Sequence, residues 1–149
     1  MNSQKINWLA IVVAGIATFF FGWLWYGGLF TDIWMAGNNI KPGPDETTMF
    51  KNGVEHPMSF TPMIVGLVVN IVFAWFIHWL MNQMGGRSLS RGLQIGLMIG
   101  IIMFIGVASG NLYAVNPFNL TLVDGGYSLL IWMISGLIVG GWPQKKTAE

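Results

Sequence analysis

Four stretches of this chain carry no Asp, Glu, Lys or Arg. They cover residues 6–31, 56–86, 92–123 and 125–144, which is 26, 31, 32 and 20 residues. A helix that spans a bilayer needs about 20 mostly apolar residues, so each run holds one such helix and none comfortably holds two. Only 9% of the 149 residues are charged and 54% are hydrophobic, against about 25% charged in an ordinary soluble domain. A water-soluble protein of this composition could not cover its own surface. In a bilayer the lipid takes that place, and eight tryptophans and ten phenylalanines suit the interfacial zones on either side.

The predicted fold is therefore all-α: a single polytopic domain with four transmembrane helices at about 7–29, 62–84, 92–113 and 121–142. In the third run Asn116-Pro117 ends the helix, because proline restricts the residue before it and cannot continue the ladder. "VNPFNLT" then reads as the turn into the last span. The first apolar run is longer than the core of a signal peptide, and "WLWYGG" offers no small-residue cleavage pattern, so it is expected to be a retained helix.

Basic residues set the orientation. Lys5, Arg87, Arg91, Lys145 and Lys146 flank one side, while Lys41 and Lys51 lie on the other beside five acidic residues. The positive-inside rule then puts both termini in the cytoplasm and the loop 30–61 outside. Within that loop "TDIWMAG" reads as a short helical turn capped by Thr31 or Asp32. "PDETTMFKNG" reads as a second, started by Pro44, Asp45 and Glu46 and stopped by Gly53.

The chain has no cysteine, which excludes disulfides, thiolate metal sites and cysteine nucleophiles, and its net charge of +1 gives no field for nucleic acid. No internal repeat supports an inverted-repeat transporter. No nucleophile–base pair, metal-ligand cluster or phosphate loop is visible, so no catalytic residue, metal or cofactor is expected.

With the spans placed, the chain resembles the DUF1761 family of small bacterial membrane proteins. The resemblance rests on "INWLAIVVAGIATFFFGWLWYGGLF", "DIWM", "PMSFTPMIVGLVVNIVFAWFIHWLM", a glycine-rich third helix and "LVDGGYSLLIWMISGLIVGGW", in that order. Its most specific parts are the Trp-Tyr that ends the first helix and the Asp-Gly-Gly-Tyr that opens the fourth. It implies a four-helix protein of the bacterial cytoplasmic membrane, and no reaction.

Two groups of residues remain to be weighed. On the third helix Gly92, Gly96 and Gly100, and then Gly106 and Gly110, form two sets with four-residue spacing, and the fourth helix adds Gly136 and Gly140. Such stripes let helix backbones approach closely in lipid, either within one chain or between copies. Among the polar residues of the spans, Asn70, His78 and Asn82 should point into the bundle, where His78 is a neutral partner of another helix or part of a proton or ligand path. His56 is predicted on the opposite side, so it cannot share a metal with His78.

Asp124, Tyr127, Asn111 and Tyr26 are expected at one depth near the outer surface. Asp124 at a helix start is explained by a cap on the first-turn amides; together the four would instead form an outward-facing polar pocket for a proton, small cation or lipid headgroup. Three functions follow: a non-enzymatic bundle that oligomerises or serves a larger membrane complex, a small oligomeric transporter or channel, and, least supported, an enzyme acting on lipid or quinone. Expected partners are membrane lipid and further copies of the chain.

Overall fold

The computed structural model describes residues 6–45 and 47–143. Four helices in it are long and apolar enough to cross a membrane. They are α1 (Trp8–Leu24, continued by a π-helical turn at Trp25–Leu29), α3 (Thr61–Gln83), α4 (Leu89–Tyr113) and α5 (Phe118–Gly141). Each starts and stops within about three residues of the expected bounds. A short helix, α2 (Thr31–Gly37), and three strands, β1 (Ile40–Pro42), β2 (Thr48–Lys51) and β3 (Val54–Pro57), fill the loop between α1 and α3.

The starts have local causes. Asn7 caps α1, its Oδ1 accepting the Ala10 N–H at 3.1 Å, and Ser88 caps α4 by accepting the Arg91 N–H at 3.2 Å. Proline can precede a helix because its missing N–H is one that the first turn does not use. So α5 begins directly after Pro117, three residues earlier than expected. That shift removes Asp124 from the helix start.

The loop differs from its sequence reading. α2 begins on Thr31 itself with Phe30 in the cap position, and Thr31 Oγ1 finds no partner among the described residues, so neither Thr31 nor Asp32 caps it. The segment read as a second helical turn is instead an antiparallel sheet in the order β1-β2-β3, with Thr48 opposite Pro57 and Lys51 opposite Val54. Asn52-Gly53 is the reason. Both residues take positive φ (52° and 81°), as the tight two-residue hairpin turn requires. Asp45 starts no helix; it accepts from Thr47 N, Thr47 Oγ1 and Thr48 Oγ1 (3.3, 2.7 and 3.1 Å), which folds a turn and holds its carboxyl below the usual carboxylate range. Glu46 lies outside the described residues.

The spans pack as two antiparallel pairs, α1 with α3 and α4 with α5, and α5 also meets α1 and α3. Glycine governs the second pair. A Cβ on Gly92 would fall on the Gly136 carbonyl oxygen, one on Gly96 on the Trp132 carbonyl, and one on Gly140 on the Ser88 carbonyl. At Gly100 it would sit 2.8 Å from the Leu129 carbonyl. This half of the stripe is used within the chain. A Cβ on Gly106 or Gly110 would meet nothing within 4 Å among the described residues.

The core is small: Ile11 and Ala14 of α1, Ala74, Ile77 and Met81 of α3, Ile95 of α4, and Ile131, Trp132 and Val139 of α5. Most remaining apolar side chains face outward, Met98, Ile102 and Ile105 being more than 60% exposed, as expected where lipid replaces the protein interior.

The bundle has two ends, a sheet end and a terminal end where α1 starts and α5 stops. His78 lies at the terminal end, 1% exposed, and ties α3 to α1. Its Nε2 accepts the Asn7 backbone N–H at 3.2 Å, so that nitrogen is unprotonated. The neutral ring then carries its proton on Nδ1, which lies 3.3 Å from the Asn82 amide. With that amide turned over, the Asn82 oxygen, buried and otherwise unpartnered, accepts the proton. His56 is on β3 at the other end.

Candidate functional site

The polar residues of the sheet end gather where α1 runs out against α5. In the π-helical turn the Phe30 N–H reaches back five residues to the Trp25 carbonyl at 2.9 Å. The widened turn presents two neighbouring side chains to α5. Trp25 Nε1 donates to the Val123 carbonyl at 3.1 Å, and Tyr26 OH donates to Asp124 Oδ1 at 3.1 Å. Single π turns inside α-helices are often found at functional positions.

Asp124 is the seventh residue of α5, and no acidic residue lies in that helix's first turn. The cap explanation for Asp124 is therefore overturned: the amides it would cap belong to residues after Pro117, nearly two turns away. Its carboxylate is instead held by a side chain of another helix.

Three further groups complete the cluster. Tyr127, three residues on, shares the Asp124 side of α5; its ring lies 4.9 Å from Tyr26 and 6.3 Å from Phe21 between centroids. Its hydroxyl seats over Gly22, where a Cβ would come within 2.6 Å of the oxygen, and meets the Asn70 side chain from α3. Asn70 is 7% exposed and also donates to its own helix at Gly66 O, 2.8 Å away. From α4, Asn111 turns its Nδ2 towards the Asp124 carboxylate; that nitrogen is buried and has no hydrogen bond among the described residues.

The aim of Asn111 is set by the turn that follows it. Asn116 Nδ2 donates to Asn111 Oδ1 at 3.0 Å, and the Asn116 N–H donates to the Asn111 carbonyl at 2.9 Å. Between them Val115 takes φ +56°, a left-handed conformation in which a β-branched residue is strained. Val115→Gly is expected to raise stability by about 1 kcal/mol, because glycine adopts this conformation without a Cβ penalty. Thermal unfolding followed by circular dichroism checks it; a lower midpoint would show that Val115 is not strained.

The structure thus brings Tyr26, Asp124, Tyr127, Asn111 and Asn70 together. It leaves His78 at the far end of α3, eight residues and about 12 Å beyond Asn70. Trp25, Gly22 and Asn116 escaped the sequence reading. Trp25 carried a signal in the Trp-Tyr-Gly-Gly run; Gly22 and Asn116 matter only through partners that folding supplies. No basic side chain acts on Asp124, and no group of three His, Asp or Glu able to hold a metal occurs among the described residues.

Comparison with known proteins gives one family. The family model described as "Protein of unknown function (DUF1761)" matches residues 9–140, nearly the whole chain. No curated protein and no solved structure matches. With the ordered features of its spans and a match over that length, the chain belongs to the DUF1761 family.

Proposed function

We propose that this is a non-enzymatic membrane protein whose working element is the polar site around Asp124, which takes up a proton or a small cation from the sheet side. One observation carries the reading. A carboxylate stands nearly two turns inside an apolar span, with a tyrosine hydroxyl and an amide turned to it and no basic group among the described residues to neutralise it. An ionisable residue at such a place is expensive in a bilayer, and a proton or a cation removes the cost. In liposomes holding the protein, a pH or cation gradient should relax faster than in empty ones, and Asp124→Asn should abolish the difference. Equal relaxation with and without wild-type protein would remove the reading.

A second reading, a bundle that associates with further copies or with a larger membrane complex, is favoured by Gly106 and Gly110, whose surface is unfilled. A strictly monomeric particle in nanodiscs would count against it.

Both readings place the termini in the cytoplasm and the sheet outside. Arg87 and Arg91 lie at the terminal end and Lys41 and Lys51 in the sheet, while Lys5, Lys145 and Lys146 fall outside the described residues. Because the chain has no cysteine, Asn52→Cys should react with an impermeant maleimide on intact cells, and Ser90→Cys only after permeabilisation. The reverse pattern would invert the topology.

A further inference from the structure

Near the sheet end α3 and α4 lose their cover, while α5 stays packed against α2, the π turn and α4. On α3, Gly66, Asn70, Phe73 and Ile77 follow one another at spacings of four, three and four, so they form one stripe. Asn70 and Ile77 are buried and Phe73 packs on the core, yet no atom of the described residues lies within 4 Å of a Cβ at Gly66. On α4, Ile99 packs on the core, and Gly106 and Gly110 lie about two and three turns further along the same stripe, facing open space. On α5, Asp124, Ser128, Ile131 and Ser135 share a stripe; Ile131 and Ser135 are 6% and 2% exposed, whereas Asp124 is half-buried. The core-facing sides of α3 and α4 therefore run out into an opening beside α5. Asp124 stands on its floor, with Asn111 near the sheet and Asn70 at its inner end.

We propose that this opening between α3 and α4 is a lateral binding cleft for a lipophilic organic cation, one that enters from the bilayer and sets its charge on Asp124. The proposal rests on the cation reading above and names the ligand class. Charge complementarity selects the occupant. The carboxylate has a hydroxyl donor in Tyr26 and an amide in Asn111, but no cationic side chain among the described residues. The neighbouring Tyr26 and Tyr127 rings add faces that attract positive charge. A helix from a second copy would not supply the missing charge, since the four uncharged runs hold no Lys or Arg. The walls are apolar and adaptable: Met63 and Met103, on the same stripes as Gly66 and Gly106, are 50% and 39% exposed. The glycines leave room where larger side chains would close the cleft.

The test uses the full chain in nanodiscs, with tetraphenylphosphonium as probe, triphenylphosphine oxide as an uncharged molecule of similar shape, and tetramethylammonium as a small polar cation. Binding is read by equilibrium dialysis. Saturable binding of tetraphenylphosphonium, little of the oxide, and a loss of about tenfold or more in Asp124→Asn are expected. Gly66→Leu and Gly106→Leu, both at open positions, should each weaken the phosphonium by about tenfold through filling the cleft. Circular dichroism and size exclusion establish that each variant is folded, and either variant alone suffices. Uptake unchanged in all three variants is partition into lipid and overturns the proposal. A stable dimer with Gly106→Cys cross-linked across its interface overturns it too, since a second copy would then fill the cleft. If tetramethylammonium or protons act through Asp124 while the phosphonium does not bind, the lipophilic ligand is wrong and the Asp124 site stands.

Discussion

Gly92→Ala is expected to destabilise the protein by about 1–3 kcal/mol, whereas Gly106→Ala, fourteen residues along the same helix, changes stability little. The chemistry of the two substitutions is identical, and the surroundings decide. At Gly92 the new methyl would fall on the Gly136 carbonyl oxygen, with the Gly140 Cα 3.2 Å away. That carbonyl belongs to helix backbone and cannot swing aside as a side-chain end would. α4 and α5 must move apart, and their separation loosens the contacts at Gly96, Gly100 and Gly140 as well. At Gly106 a Cβ meets nothing within 4 Å among the described residues. Gly136→Ala should cost about as much as Gly92→Ala, since its methyl would strike the Gly92 carbonyl in turn. The double variant should cost less than the sum, because one separation relieves both clashes. Thermal unfolding of the four variants in one detergent checks the set; additive costs, or a Gly106→Ala as damaging as Gly92→Ala, would show that this stripe is not the contact between α4 and α5.

The second large effect lies at Asp124, and its sign separates a working carboxylate from a structural one. Asp124→Asn should remove the cation response and leave the unfolding midpoint unchanged or raised. The charge is unfavourable where it stands: a carboxylate near the middle of a span costs about 2.5–3.5 kcal/mol by insertion measurements, and less towards the surface. Asparagine keeps an oxygen to accept from Tyr26 and discards the charge. Tyr26→Phe loses one hydrogen bond, worth about 1 kcal/mol, while leaving the ring against Trp34 and Tyr127. A stability ranking with Asp124→Asn well below both wild type and Tyr26→Phe would make Asp124 a structural anchor and sink the site.

Much of the architecture was legible because a bilayer imposes a simple rule: charges gather towards the ends of the spans, and four long uncharged runs announce four long helices, although α4 takes in Arg91 and α5 takes in Asp124. The turn chemistry at Asn52-Gly53 was legible as well, but was read as a helix stop. Acidic residues and a proline ahead of it imitate a helix start, and only the pairing of β2 with β1 and β3 shows that Asp45 folds a turn instead. Asp124 illustrates a sharper limit. Its place relative to the helix start depends on whether α5 begins at Phe118 or Thr121, a difference of about one turn that separates a cap from a carboxylate inside the span.

The glycines show where sequence stops and tertiary structure begins. The sets Gly92-Gly96-Gly100 and Gly106-Gly110 both have the four-residue spacing of close helix packing, and that spacing does not say which set contacts α5 and which faces open space. That division follows from the angle at which α3, α4 and α5 cross, which sums many weak contacts from distant parts of the chain. The sequence by itself determined the number of spans, their lengths and the apolar outer surface, because each depends on a local run meeting a uniform solvent. Only the tertiary structure decided that Tyr26, Asp124, Tyr127, Asn111 and Asn70 meet, because three α-helices and a π turn must pack before those side chains share a space.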